Sequence, residues 1–140
     1  MGKHIKYEST TMDDQGKIVV STKSYKVGVN IEPFYATFTR EDHRLYRLTA
    51  TQYQIMIYLC KKMRLDTGEV DVTPADRKKM MAFFDVSKGA ISIGLAGLLK
   101  AKILAGKSGE YYINPELFWK GSPSKREDLV KTQWFADNFK

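Results

Sequence analysis

The stretch that most constrains this chain runs from Thr73 to Pro115, TPADRKKMMAFFDVSKGAISIGLAGLLKAKILAGKSGEYYINP. Thr73 has the chemistry of a helix N-cap, and Pro74 follows where a first helical residue has no N–H partner to lose. Asp76 completes a capping-box pattern. Met80, Met81 and Phe84 then recur at helical spacing until Asp85, a residue that tolerates a turn conformation. Ser87 is placed to cap a second helix, whose Ile91, Leu95, Leu98 and Leu99 fall on one face. Ile103-Leu104-Ala105 and Tyr111-Tyr112-Ile113 flank Gly106 to Glu110, the pattern of a hairpin with a flexible tip. Helix, turn, helix and hairpin, in that order, predict an α+β chain with a winged helix-turn-helix core.

The flanks extend this reading. Thr49 and Gln52 form a capping box for a helix ending near Arg64, with Leu48, Gln52, Ile55, Met56, Leu59 and Met63 on one face. Leu65 to Gly68 then turns the chain into Glu69-Val70-Asp71-Val72, an alternating strand that in a winged helix pairs with the hairpin. Upstream, Phe34 to Thr39 reads as a strand and Arg40 to Leu45 as a short helix capped by Thr39. The first 33 residues lack helical periodicity. Lys17–Lys23 and Tyr25–Ile31 are β-prone after a turn signal at Asp13 to Gly16, so residues 1–33 are expected to form a hairpin or arm apart from a domain at 34–140. Ser124 and Glu127 suggest a capping box for one last helix to about Asn138. Its stripe of Leu129, Val130, Trp134 and Phe135 is expected to pack on the first core helix or to form a homodimer.

Charge and chemistry narrow the function. The chain carries a formal +7, and its excess peaks over residues 49–113, with 10 basic against 6 acidic side chains. A polyanionic partner fits that balance, double-stranded DNA above all. No apolar run approaches the roughly 18 residues that span a membrane, so no membrane role is expected. The single cysteine, Cys60, excludes an internal disulfide, fits a reducing cytoplasm and falls on an apolar helical face. Glu41-Asp42-His43 is the one catalytic-looking cluster, but consecutive helical residues diverge and cannot converge on one atom. Neither metal-ligand spacing nor a nucleophile–base pair nor a phosphate loop is present, so no enzyme, metal or other cofactor is expected.

The residues expected at DNA follow from the module. Arg77, Lys78 and Lys79 lie on the helix that crosses the backbone, as phosphate contacts or as a solvated face. Ser87, Lys88, Ser92 and Ile93 lie on the outer face of the recognition helix, toward base edges. Lys107 sits at the wing tip. The recognition helix lacks the Arg, Asn or Gln that supply bidentate base reading, and carries Gly89, Gly94 and Gly97. Ala90, Gly94 and Gly97 therefore offer a smooth side for close approach, to DNA or to another helix. A regulator that represses its own promoter and a winged helix that binds proteins remain alternatives.

Ile113-Asn114-Pro115 followed by Phe118-Trp119-Lys120-Gly121, together with the Leu48 to Leu59 helix and the Val86-Ser87 turn, resembles plasmid replication proteins of the RepL type over residues 34–130. The resemblance implies a winged-helix core that binds origin DNA, acts in plasmid replication or maintenance, and recruits host replication proteins.

Overall fold

The computed structural model describes residues 3–12, 18–27, 34–38 and 42–140, the first two segments by their backbone pairing. Two compact units divide the chain, Met1–Pro33 and Phe34–Lys140. In the first, β1 (Lys3–Met12) pairs antiparallel with β2 (Ile18–Val27), in a register running from Lys3 opposite Val27 to Met12 opposite Ile18. The two β-prone runs expected as separate strands are thus largely one, with Ser24 continuing the ladder opposite Lys6. Their partner is the polar stretch from Lys3, which alternation alone does not single out. The turn expected at Asp13 to Gly16 lies outside the described residues.

The second unit is mixed α+β. Its elements are β3 (Ala36–Thr37), α1 (His43–Tyr46), α2 (Ala50–Lys62), β4 (Glu69–Asp71), α3 (Pro74–Phe84), α4 (Lys88–Lys100), β5 (Leu104–Lys107), β6 (Glu110–Ile113), β7 (Phe118–Trp119), α5 (Pro123–Val130) and α6 (Gln133–Phe139). β4, β6 and β5 form an antiparallel sheet with β6 central, so the short strand after α2 does pair with the hairpin, Val70 opposite Tyr111. β3 pairs with β7. Ile55 and Leu59 of α2, Met80 of α3, Ile91 and Leu98 of α4, and Ile103, Leu104 and Ile113 of the hairpin form one buried core. Each such side chain contributes about 2 kcal/mol on leaving water.

Glycine sets how closely α2 and α4 approach. A Cβ at Gly94 would stand 2.6 Å from Ile55 Cδ1, and one at Gly97 would collide with the Gln52 amide. The Gln52 carbonyl meanwhile accepts from the Thr49 N–H at 2.9 Å to close the α2 capping box. The smooth side of α4 therefore faces α2.

Five local expectations are corrected. Asp42, rather than Thr39, caps α1, its carboxylate accepting from the Arg44 N–H at 2.9 Å and pairing with the Arg44 guanidinium. Thr39, Arg40 and Glu41 are outside the described residues. The hairpin tip is a two-residue turn at Ser108 and Gly109, both at positive φ, which lets the strands run to Lys107 and Glu110. The C-terminal segment is two helices. Thr132 ends the first by donating to the Leu129 carbonyl at 2.7 Å and caps the second by accepting from the Phe135 N–H at 3.1 Å. Ser122 rather than Ser124 stands at the N-cap of α5, because Pro123 with its fixed φ takes the first helical position. Phe135 and Phe139 pack with Ala105, Tyr112 and Trp134, so the terminal stripe covers the hairpin rather than the first core helix.

Ala at position 94 gains about 1 kcal/mol of helix propensity, against about 1–3 kcal/mol for overpacking Ile55. The clash wins. Gly94→Ala is expected to lower the thermal midpoint by about 5 °C, and an unchanged or raised midpoint in a melt would show that the α2–α4 distance is not set here.

Candidate nucleic-acid interface

The pair α3–α4 is built by its caps. Thr73 Oγ1 accepts from the Asp76 N–H at 3.1 Å while the Asp76 carboxylate accepts from the Thr73 N–H at 2.9 Å, with Pro74 opening the helix. The pair then turns on Asp85, in the left-handed region at φ 53°, and restarts at Ser87, whose Oγ accepts from the Ala90 N–H at 3.1 Å. The axes of α3 and α4 differ by 106°.

Asp76 also fixes where α3 sits. Its carboxylate is buried, accepts from the Tyr58 hydroxyl at 2.7 Å and pairs with Lys62, both on α2. Burial pushes its pKa up, but the Lys62 ammonium, the Thr73 backbone and hydroxyl, and the Tyr58 hydroxyl together hold it well below the ordinary carboxylate range. The Tyr58 phenol is pushed up to about 12, by burial first and by the adjacent carboxylate second. Burial likewise pushes the Cys60 thiol up to about 12, which leaves it un-ionised packing in α2.

The residues expected at DNA fall into three groups. Arg77 and Ser92 come together, with Lys88 one helical turn before Ser92 on α4 and Ile93 next to it in the chain. The half-buried Arg77 guanidinium donates to Ser92 Oγ at 3.1 Å across the α3–α4 junction, and Ile93 stands 75% exposed beside it on the outer face of α4. Lys88 is exposed in the first turn of that helix, and Ser87 is exposed with its oxygen engaged by the cap. The space beside Gly89 is open, its built Cβ meeting only Ser87 Oγ at 3.8 Å. Gly89, Ala96 and Lys100 extend this face at helical spacing and are exposed, which widens it beyond the four residues expected.

Lys78 is exposed on the solvent side of α3. Lys79 lies on the opposite flank from Arg77, in a groove with Ile57 and Phe83 against α2. The run Arg77-Lys78-Lys79 is therefore not one contact surface, since consecutive helical residues point about 100° apart. Lys107 is exposed at the end of β5, opposite Glu110 in the ladder, and Asp71 pairs with Glu110 on the far side. Asp71 and Glu69 in turn bind the Arg64 guanidinium, each at 2.7 Å. Carboxylates at the root and edge of the hairpin dilute the charge that Lys107 offers.

The tail motif is a brace. Asn114 is fully buried, donating to the Lys102 carbonyl at 3.1 Å and accepting from the Glu116 N–H at 2.9 Å. Leu117 and Trp119 are buried, and the Trp119 indole donates to the Ser122 carbonyl at 2.9 Å. Gly121 has φ 123°, and a Cβ there would collide with Asp66, whose carboxylate accepts from the Ser122 N–H at 2.6 Å. Two exposed apolar residues, Ile57 and Phe83, were not singled out by periodicity. Their signal was present, for each lies outside the apolar stripe of its own helix.

Among the described residues, no group of three or more His, Cys, Asp or Glu side chains gathers to hold a metal ion, and no single helix is long and apolar enough to cross a membrane. Asp42 of the acidic cluster is spent on α1 and Arg44, His43 is exposed, and Glu41 lies outside the described residues.

Because its folded pKa is depressed, Asp76 contributes stability that is present above the unfolded value of about 4 and is lost as pH falls through the folded value. Asp76→Asn is expected to cost about 2 kcal/mol at pH 7 and to flatten the decline of stability below pH 4. Urea melts across that range check it; parallel profiles for the two proteins would remove Asp76 from the acid response.

No family model, curated protein or solved structure matches this chain.

Proposed function

We propose that residues 34–140 form a winged helix-turn-helix that docks on double-stranded DNA, with α4 as the recognition helix and the β5–β6 hairpin as the wing. The observation that carries this reading is the α3–α4 pair: two capped helices at 106° around a short turn, whose outer junction is bound by Arg77 and Ser92 and bordered by Lys88 and Ile93. That angle lies within the range of helix-turn-helix units. The order β4-β6-β5 supports it further, since the strand between the first two core helices joins the hairpin as a winged helix requires.

On this reading Lys88 and the open backbone at Gly89 approach a phosphate, where the positive end of α4 adds to the lysine charge. Ser92, Ile93 and Ala96 meet the groove as a small, nearly uncharged face. Ser92 offers one hydrogen bond and Ile93 an apolar contact to a thymine methyl. Backbone charge and groove shape then dominate over base-edge reading. A part in initiating or maintaining plasmid replication, by marking an origin for host proteins, rests on the resemblance of residues 113–121 to RepL-type proteins. A promoter-binding repressor is the same docking act with a different consequence. The protein-binding alternative rests on the Gly94 and Gly97 face and on the missing base readers; α2 occupies that face, and the missing base readers still favour it.

Fluorescence anisotropy with a labelled duplex across a salt series tests the reading. Affinity is expected to fall steeply as salt rises, and Lys88→Ala to reduce the slope of log affinity against log salt by about 1. Lys79→Ala, on the other flank of α3, is expected to leave the slope unchanged. Absence of binding at low salt, or a slope that ignores Lys88, overturns it. Deleting the gene from its replicon separates the roles: lost replication supports the first, derepressed transcription alone the second.

A further inference from the structure

A groove of about 610 Å³ lies between α2 and α3, on the flank of α3 opposite Arg77. Tyr58 and Phe84 line it, edge to face with ring centroids 6.5 Å apart. Ile57 and Phe83 line it as well, yet are 49% and 70% exposed. Large apolar side chains grouped at the surface and edged by charge mark interaction sites more often than scattered ones do. Lys61, Lys62 and Lys79 also line the groove, and Lys62 is committed to Asp76, which among the described residues leaves Lys61 and Lys79 as the lysines open to a ligand.

We propose that this groove docks an acidic amphipathic helix of a partner protein, its apolar face on Ile57 and Phe83 and its carboxylates against Lys61 and Lys79. A helix laid along the furrow between two others is read through apolar anchors at i, i+3 or i+4, and i+7, which suits two apolar anchors on adjacent helices. Charge decides the occupant. A second copy of the chain carries the same +7 and brings the same lysines to the contact, so like charges oppose. Duplex DNA presents phosphates to the lysines at its surface, while its apolar groups, the thymine methyls, are recessed in the major groove, away from Ile57 and Phe83 on a furrow walled by α2 and α3. An acidic apolar segment satisfies both. Its site lies apart from the Arg77–Ser92 junction, so the two surfaces are occupied independently.

The test uses the full chain and two fluorescein-labelled synthetic peptides of about 15 residues, each with leucine at helical spacing, one with glutamate and one with lysine at the remaining positions. The glutamate peptide is expected to bind about tenfold or more tighter than the lysine peptide, and Phe83→Ser to weaken it by about tenfold. Phe83→Ser should keep the wild-type melting curve and duplex affinity, because that ring is exposed and lines the α2–α3 groove rather than the Arg77–Ser92 junction. Lys61→Glu combined with Lys79→Glu is expected to reverse the preference between the peptides. Equal affinity for the two peptides, no binding of either, or binding that survives Phe83→Ser overturns the proposal. So does single-stranded DNA displacing the glutamate peptide, or self-association in sedimentation that Phe83→Ser abolishes.

Discussion

A buried carboxylate holds the second unit in register. Asp76 is at once the third residue of α3, closing its capping box, and the acceptor for Tyr58 and Lys62 of α2. One carboxylate thus starts a helix and fixes its place beside another. Burying a charge costs several kcal/mol unless hydrogen bonds and an opposite charge replace the lost water. Here two hydroxyls, a backbone N–H and an ammonium do so, and the depressed pKa expresses the surplus. The turn at Asp85 and the start of α4 are placed in consequence, because α3 delivers the chain to them. Removing either α2 partner leaves the helix cap intact while loosening the angle at which α4 is presented.

The same economy explains what the sequence made legible. The caps at Thr49, Thr73 and Ser87 use local chemistry within three residues, so residue type and spacing suffice to find them. The core stripes of α2 and α4 are likewise periodic. What escaped were features decided by residues far apart in sequence or by competing local signals. Gly94 and Gly97 read as an open face until Ile55 and Gln52 arrive from α2 to fill it. Thr132 interrupts an apolar pattern that spans it, since its hydroxyl bonds both ways along the chain. Lys79 adjoins Lys78 in sequence and is separated from Arg77 by the helix itself. Periodicity assigns the faces of a helix, but only packing says which neighbour each face meets.

The segment that carries the resemblance to replication proteins has a clear mechanical role. Asn114 ties the hairpin to the end of α4, Arg126 donates to the Pro115 carbonyl at 2.7 Å, and Gly121 lets the chain pass against Asp66 in the turn after α2. A motif can therefore be specific because several distant segments must meet there, without touching a ligand. The DNA-facing chemistry proposed for this chain lies elsewhere, on the outer face of α4, where the residues are few and small.

The terminal helix packed on the hairpin has its own consequence. Tyr112 stacks edge-on against Trp134 with centroids 4.9 Å apart, and Phe139 continues the ring cluster. One face of the hairpin is thereby covered with aromatic surface, and its two-residue turn leaves little slack at the tip. A projection held in this way is ordered before it meets anything. The entropy that a loose loop would surrender on contact has been surrendered in folding. In the proposed wing role such a blade would select by fit: a surface that matches its curvature is accepted at little further cost, and one that does not must itself bend.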